Sequence, residues 1–297
     1  MKTMTNNSRL VNAKKMLALA NEFGFAIPHI NINNLEWIQA VLSASEQAQS
    51  PVILGVSEGA AKYMGSYKII VDMVNQTIIS QNITIPVCLH LDHGGYQACL
   101  QAIEAGFTSI MYDGSHDSFS ENLKNSKELV KLCKDHELSI EVEVGTIGGY
   151  EDGKSTNGEF ADINECIEIS KLDIDFLAAG IGNIHGVYPK DWKGLNFALL
   201  QEIVQKTNKG FVLHGGSGIS NEMIREAIKL GVRKINVNTE CQIAFSNAIK
   251  EYFIEHPDLV ASHSYDPRKY LKLGKQAIID TCIDKMSLFG SKDKVKN

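Results

Sequence analysis

Short apolar runs alternate with stretches of helical periodicity along almost the whole chain. The apolar runs are rich in Ile, Val and Leu and are bounded by Pro, Gly or polar clusters, which is the pattern of buried strands. They predict strands at 25–30, 51–56, 86–91, 108–112, 139–144, 175–179, 210–213 and 233–237. Between them, apolar residues recur every three or four positions. Asn34 to Gln47 carries Leu35, Ile38, Val41 and Leu42; Phe119 to His136 carries Leu123, Leu129, Val130 and Cys133. Asn196 to Lys206 carries Phe197, Leu200 and Val204, and Asn221 to Leu230 opens on an Asn cap and stops before Gly231, as a helix should. Eight strand–helix units in one chain predict an α/β fold, a (β/α)8 or TIM barrel. The expected organisation is one domain over residues 1–297 with a C-terminal helical extension, because no repeat, low-complexity run or linker interrupts it. A doubly wound open sheet is the alternative, weakened by the absence of GxGxxG after the first strand.

Composition narrows the function classes. The 297 residues are 44% hydrophobic and 22% charged, an ordinary globular balance. Net charge is -6 with Lys and Arg scattered, so no basic stripe points to nucleic acid. No apolar run reaches the ~18–20 residues of a membrane span, and the basic N-terminus is not followed by the apolar core of a signal peptide. Six cysteines stand singly with no CxxC spacing, which predicts buried thiols in a reducing cytoplasm rather than disulfides. The lysine-rich tail from Ser291 reads as a solvated terminus.

Polar residues gather where the predicted strands end. These positions are His29 and Asn31, Ser57 and Glu58, Asp92 and His93, Asp113 and His116, Glu143, Asn183 and His185, His214, and Asn236, Asn238 and Thr239. In a barrel the C-terminal strand ends converge on one mouth, where the active site lies. A single histidine there would more often be structural; three at three strand ends, with carboxylates nearby, fit a zinc site with an open position. Asp92 and His93 are adjacent, and adjacent strand residues face opposite ways. The pair is therefore expected just past the end of its strand, in a common cleft. His214-Gly215-Gly216-Ser217-Gly218 and Asn236-Val237-Asn238-Thr239 follow the seventh and eighth strands, the loops with which barrels bind phosphate. Gly145 to Gly153 reads as a glycine-hinged lid carrying an acid, Glu151. Lys234 lies within the eighth strand and is expected to turn away from the core, leaving no strand-end lysine for Schiff-base chemistry.

These motifs resemble, in order, those of the class II, zinc-dependent fructose-bisphosphate aldolases of the ketose-bisphosphate aldolase family, from about Val11 to about Phe289. The matching stretches include Asn31-Ile32-Asn33-Asn34, His90-Leu91-Asp92-His93-Gly94, Glu143-Val144-Gly145-Thr146, Gly182-Asn183-Ile184-His185-Gly186, His214 to Gly218, Lys234 to Glu240 and Tyr265 to Tyr270. The resemblance implies that His93, His185 and His214 hold Zn2+. It implies that Asp92 exchanges a proton with the substrate C4 hydroxyl and that Glu151 moves the proton at C3. Glu143 and Asp113 match carboxylates that bind a second or displaced zinc in some relatives. Gly186, Gly215, Ser217, Asn236 and Thr239 match a phosphate cradle, with Asn31, Ser57 and Asn238 as further substrate contacts. Arg268 matches an arginine reaching the other phosphate from a neighbouring subunit, so the partners implied are a sugar bisphosphate and further copies of the chain, as a homodimer or homotetramer. Some members respond to a monovalent cation beside the phosphate. His29, Tyr150 and Gly95 depart from the commoner residues at their positions, and none of these removes a group the chemistry needs. Rival readings are a tagatose 1,6-bisphosphate or related aldolase, a metal-dependent hydrolase, and a non-catalytic phosphosugar binder. The hydrolase reading is weakened by His29-Ile30-Asn31 where HxH is usual. The third is weakened by retention of all three histidines, Asp92 and Glu151.

Overall fold

The computed structural model describes residues 10–151 and 154–295, apart from the side chains of Glu151, Lys154 and Ser155. Its strands are β1 (Ile27–Asn31), β2 (Val52–Ser57), β3 (Val87–Gly94), β4 (Ser109–Tyr112), β5 (Ser139–Val144), β6 (Gly148–Glu151), β7 (Lys154–Thr156), β8 (Phe176–Ala179), β9 (Ile184–His185), β10 (Gly210–Leu213) and β11 (Val232–Val237). Its helices are α1 (Lys14–Phe23), α2 (Leu35–Ala48), α3 (Glu58–Met64), α4 (Tyr67–Ser80), α5 (Tyr96–Ala105), α6 (Phe119–Asp135), α7 (Ile163–Ser170), α8 (Phe197–Thr207), α9 (Asn221–Lys229), α10 (Thr239–Glu255) and α11 (Pro267–Leu288). Eight strands close a parallel barrel in the order β1-β11-β10-β8-β5-β4-β3-β2. The eight predicted strands are those eight, so the TIM barrel holds and the open sheet is excluded. β6, β7 and β9 form a separate three-stranded sheet at the mouth, which the strand pattern did not foretell because each is only two to four residues long.

Period-two alternation divides the core in two. Ile30, Leu54, Leu89, Leu91, Val142 and Leu177 face outward into one cluster with the helices. Ile27, Ile53, Cys88, Met111, Phe176 and Val212 fill the lumen, joined by Met16 and Ala20 of α1. Further along the same inward rows the apolar residues give way to His29, His90, Asp92, Glu141, Glu143 and Lys234, every one buried. The lumen is thus apolar at one end and polar toward the mouth.

Local signals place the helices. Asn34 caps α2 by accepting from Trp37 N at 3.0 Å, a bond worth about 1 kcal/mol. The cap of α9 is Ser220, which accepts from Met223 N, one residue before the expected Asn221. At the C-terminus α11 packs on α10 and α2. The tail beyond it is docked through Ser291 and Val295, while Lys292 and Asp293 stay exposed: Ser291 is buried and bonded to Ser50 Oγ at 2.8 Å, and Val295 N donates to Gln49 O. Cys88, Cys99, Cys133, Cys166, Cys241 and Cys282 are buried free thiols. Among the described residues no helix is long and apolar enough to cross a membrane.

Candidate active site

The expectation that β3 ends before Asp92 is overturned: the strand runs to Gly94. Asp92 and His93 reach the same cleft because the register with β4 shifts between Leu91 and Gly94 and His93 takes φ 49°. A bulge of this kind re-aims one side chain without ending the ladder. Gly94 permits it, since a Cβ there would lie 2.3 Å from Leu91 Cδ2.

The bulge brings His93 against His185 and His214, with ring centroids 4.8 and 4.6 Å away. The three offer nitrogens that lie within 4.8 Å of one another. Outer nitrogens are held by carboxylates: His93 Nδ1 lies 2.8 Å from Asp113 Oδ2, and His214 Nε2 lies 2.8 Å from Glu141 Oε1. A carboxylate accepts, so each outer nitrogen carries the proton. The inner nitrogens, His93 Nε2 and His214 Nδ1, then face each other at 2.9 Å with their lone pairs. That donor set fits a divalent cation, with the carboxylate–histidine pairs that orient metal-ligating imidazoles.

Asp113 and Glu143 share His93 Nδ1, at 2.8 and 3.5 Å, and with His93 form a second group of possible ligands. Burial raises the Asp113 carboxyl, but the His93 hydrogen bond and charge, with the bonds from Ser115, outweigh it and leave Asp113 below the usual range. Burial, and then the Asp113 charge, push Glu143 well above it. Their surroundings thus push the two carboxyls in opposite directions.

Asp92 is buried, accepting from Asn31 Nδ2 at 2.8 Å and from Asn236 Nδ2 at 3.2 Å, with His29 Nε2 at 3.7 Å. His29 packs edge-on to His90. It has room only because residue 55 is glycine: a Cβ there would fall 1.7 Å from His29 Nε2. Burial, and next the Lys234 charge, hold both imidazoles well below their usual range.

Beside the imidazoles lies a cavity of about 270 Å³. Asn31, Ser57, Gly186, Gly215, Ser217, Asn236, Asn238 and Thr239 line it together with His185 and His214. Thr239 opens α10, where Asn238 makes no side-chain cap bond and Glu240 N donates to Ser217 Oγ at 3.2 Å; the N-terminal end of the helix, with its partial positive charge, thus lies at this cavity. Gly215 allows close approach of the strand-end loops, since a Cβ on it would meet Ile184 O at 1.9 Å. His93, Asp113 and Glu143 line an adjoining cavity that shares Ser57 and His185. β6 pairs with β9 through Gly149 and His185, which ties the predicted lid to a member of the imidazole cluster. Glu151 ends β6; its side chain lies outside the described residues, as do Asp152 and Gly153. Arg268 lies outside both cavities, 89% exposed, its guanidinium on Asp266 at 2.7 Å.

Lys234 corrects the sequence reading. Its side chain enters the lumen, fully buried, with Nζ 2.8 Å from Glu141 Oε2 and 2.9 Å from Asn236 Oδ1. Its partner Glu141 is not among the strand-end residues that the sequence points to. The available signal was spacing: Glu141 and Glu143, like Lys234 and Asn236, stand two apart in buried strands and must share a face.

A closed parallel barrel whose C-terminal strand ends gather an imidazole–carboxylate cluster able to hold a metal, beside a polar cavity, has the architecture of a barrel enzyme. Residues 11–294 match the family model described as fructose-bisphosphate aldolase class-II. The chain is 58% identical to a fructose-bisphosphate aldolase of Ureaplasma parvum over 97% of its own length and 100% of the relative's. It is 54% identical to one of Mycoplasma genitalium, over 96% and 99%. The crystal structure of a putative fructose-1,6-biphosphate aldolase from Coccidioides immitis superposes with a TM-score of 0.84 at 29% identity, covering 98% of this chain and 99% of that one. The chain belongs to the class-II fructose-bisphosphate aldolase family, and its activity is that of a lyase.

Proposed function

We propose that the protein reversibly cleaves fructose 1,6-bisphosphate to dihydroxyacetone phosphate and glyceraldehyde 3-phosphate, as a single-domain cytoplasmic enzyme of glycolysis and gluconeogenesis. The observation that carries this is that His185 and His214 of the imidazole cluster line one cavity with the residues of the anion cradle, and His93 lines the cavity adjoining it. His93, His185 and His214 would hold Zn2+, which when bound supplies a Lewis acid for the ketone and for the charge left by cleavage. Asp113 and Glu143 stand where a second or displaced zinc would bind.

The chain's own residues handle the rest. Asp92 removes the proton of the C4 hydroxyl, the C3–C4 bond breaks, and its electron pair stays on C3. Glu151 delivers a proton to C3, giving separate acids and bases at the two carbons. Asn31 holds Asp92 by its amide and would hold the triose portion beside it. Ser57, Gly186, Gly215, Ser217, Asn236, Asn238 and Thr239 surround the dihydroxyacetone phosphate end, with the N-terminus of α10 toward its phosphate and a monovalent cation as counter-ion.

Arg268 binds the C6 phosphate across a subunit interface in a homodimer or homotetramer. Its exposure and its place outside the linings of both cavities of its own subunit support that reading. A guanidinium grips phosphate with two parallel hydrogen bonds, as it grips Asp266 here. In a coupled aldolase assay Arg268→Ala is expected to lower kcat/KM for fructose 1,6-bisphosphate at least tenfold, about 1.4 kcal/mol. Exchange of the C3 proton of dihydroxyacetone phosphate, which has no second phosphate, is expected to change far less. Equal loss in both assays would assign Arg268 to the fold or the lid. Absence of fructose 1,6-bisphosphate cleavage by the wild-type, zinc-loaded protein would reject the function itself.

A further inference from the structure

Lys234 stands directly beneath the imidazole cluster, and its ammonium can only donate. It pairs as an ion with Glu141 Oε2 at 2.8 Å and donates a hydrogen bond to Asn236 Oδ1 at 2.9 Å. Both acceptors continue toward the mouth. Glu141 Oε1 lies 2.8 Å from His214 Nε2. Asn236 Nδ2 lies 3.2 Å from both Asp92 Oδ1 and His214 Nδ1.

Donor and acceptor rules then leave one arrangement. Glu141, anchored on the ammonium, must receive the proton of His214 Nε2, so the lone pair of His214 stays on Nδ1, facing His93. Asn236 must turn its carbonyl to Lys234, so its NH2 faces Asp92. Reversing either group would set donor against donor inside a water-excluded barrel, where unmet polar groups are expensive.

We propose that Lys234 and Glu141 form a buried ion pair that positions the active site from below, fixing the tautomer of His214 that can ligate a divalent cation and the amide orientation of Asn236 that serves Asp92. The pair touches no substrate, so both are positioning residues. The proposal rests on the reading of His93, His185 and His214 as metal ligands.

The test begins with metal-free wild-type protein and long-range 1H–15N spectra of its imidazoles. His214 is expected as the Nε2–H tautomer; finding the proton on Nδ1 overturns the proposal at once. Glu141→Gln keeps the shape and an acceptor for Lys234 but turns an amide NH2 toward His214. The His214 proton is then expected to move to Nδ1, the logic by which an amide in place of a carboxylate inverts a catalytic histidine. Zinc affinity, measured by chelator competition, should fall roughly 10–100-fold, the usual worth of such an outer partner. Lys234→Met should weaken zinc binding likewise and lower zinc-saturated kcat at least tenfold with a smaller change in KM. A merely structural lysine would lower Tm while leaving the folded fraction with wild-type zinc affinity and kcat, and that result overturns the proposal. If Lys234→Met does not fold, Glu141→Gln and the wild-type spectrum decide. Failure of the wild-type protein to bind zinc would instead reject the metal site; zinc binding unaltered in the variants rejects only the ion-pair role.

Discussion

Chelation is expected to abolish cleavage of fructose 1,6-bisphosphate, and zinc to restore it. Breaking the C3–C4 bond leaves an electron pair on the three-carbon fragment, which requires either a metal or a lysine Schiff base. Lys234 is the buried lysine among the described residues, and its Nζ is committed to Glu141 and Asn236. It lines neither of the two cavities at the mouth. A Lewis acid that stabilises charge by several kcal/mol accounts for a rate loss of roughly 10³-fold or more when it is removed. Purified protein should carry tightly held zinc, and borohydride with substrate should leave activity intact. Full activity without metal, or borohydride inactivation, would show that the imidazole cluster is not the electrophile.

Asp92→Ala is expected to lower kcat by roughly 10²–10⁴, the usual range for a general acid or base, with zinc content near normal. Asp92 accepts from the Asn31 and Asn236 amides, whereas His93, His185 and His214 form the ligand group without it. Chemistry and metal retention should therefore separate. Removing the carboxylate leaves two buried amides short of an acceptor, a cost of about 1–3 kcal/mol each, so some loss of Tm is expected as well. Loss of zinc together with activity, or failure to fold, would make Asp92 a structural residue.

The barrel was legible because its signals are local. Eight short apolar runs and the helical periodicity between them are properties of neighbouring residues, and those runs are the strands of the barrel. The strand-end rule likewise brought Asn31, Ser57, His185, His214, Asn236 and Thr239 to one rim, and all six line one cavity. What escaped was the polar floor below them. A strand position two residues before a recognised one faces the same way, so Lys234 faces inward with Asn236 although its place within the eighth strand reads as outward. Burial of an ammonium becomes acceptable only when a carboxylate from another strand arrives to meet it, and Glu141 does so across the lumen.

The sequence by itself determined the alternation of strands and helices, the inward rows and the set of side chains available at the mouth, because period and composition are written along the chain. Only the tertiary structure decided which of those side chains touch. The left-handed turn of His93 places two neighbours in one cleft, Gly149 ties the lid strand to His185, and Gly55 leaves room for His29. Closure of the barrel sets β1 beside β11 and brings Lys234 onto Glu141. Each of these depends on distances between strands far apart in the chain. A pattern read residue by residue fixes direction, but only a closed packing fixes separation, and hydrogen bonds and metal coordination depend on separation.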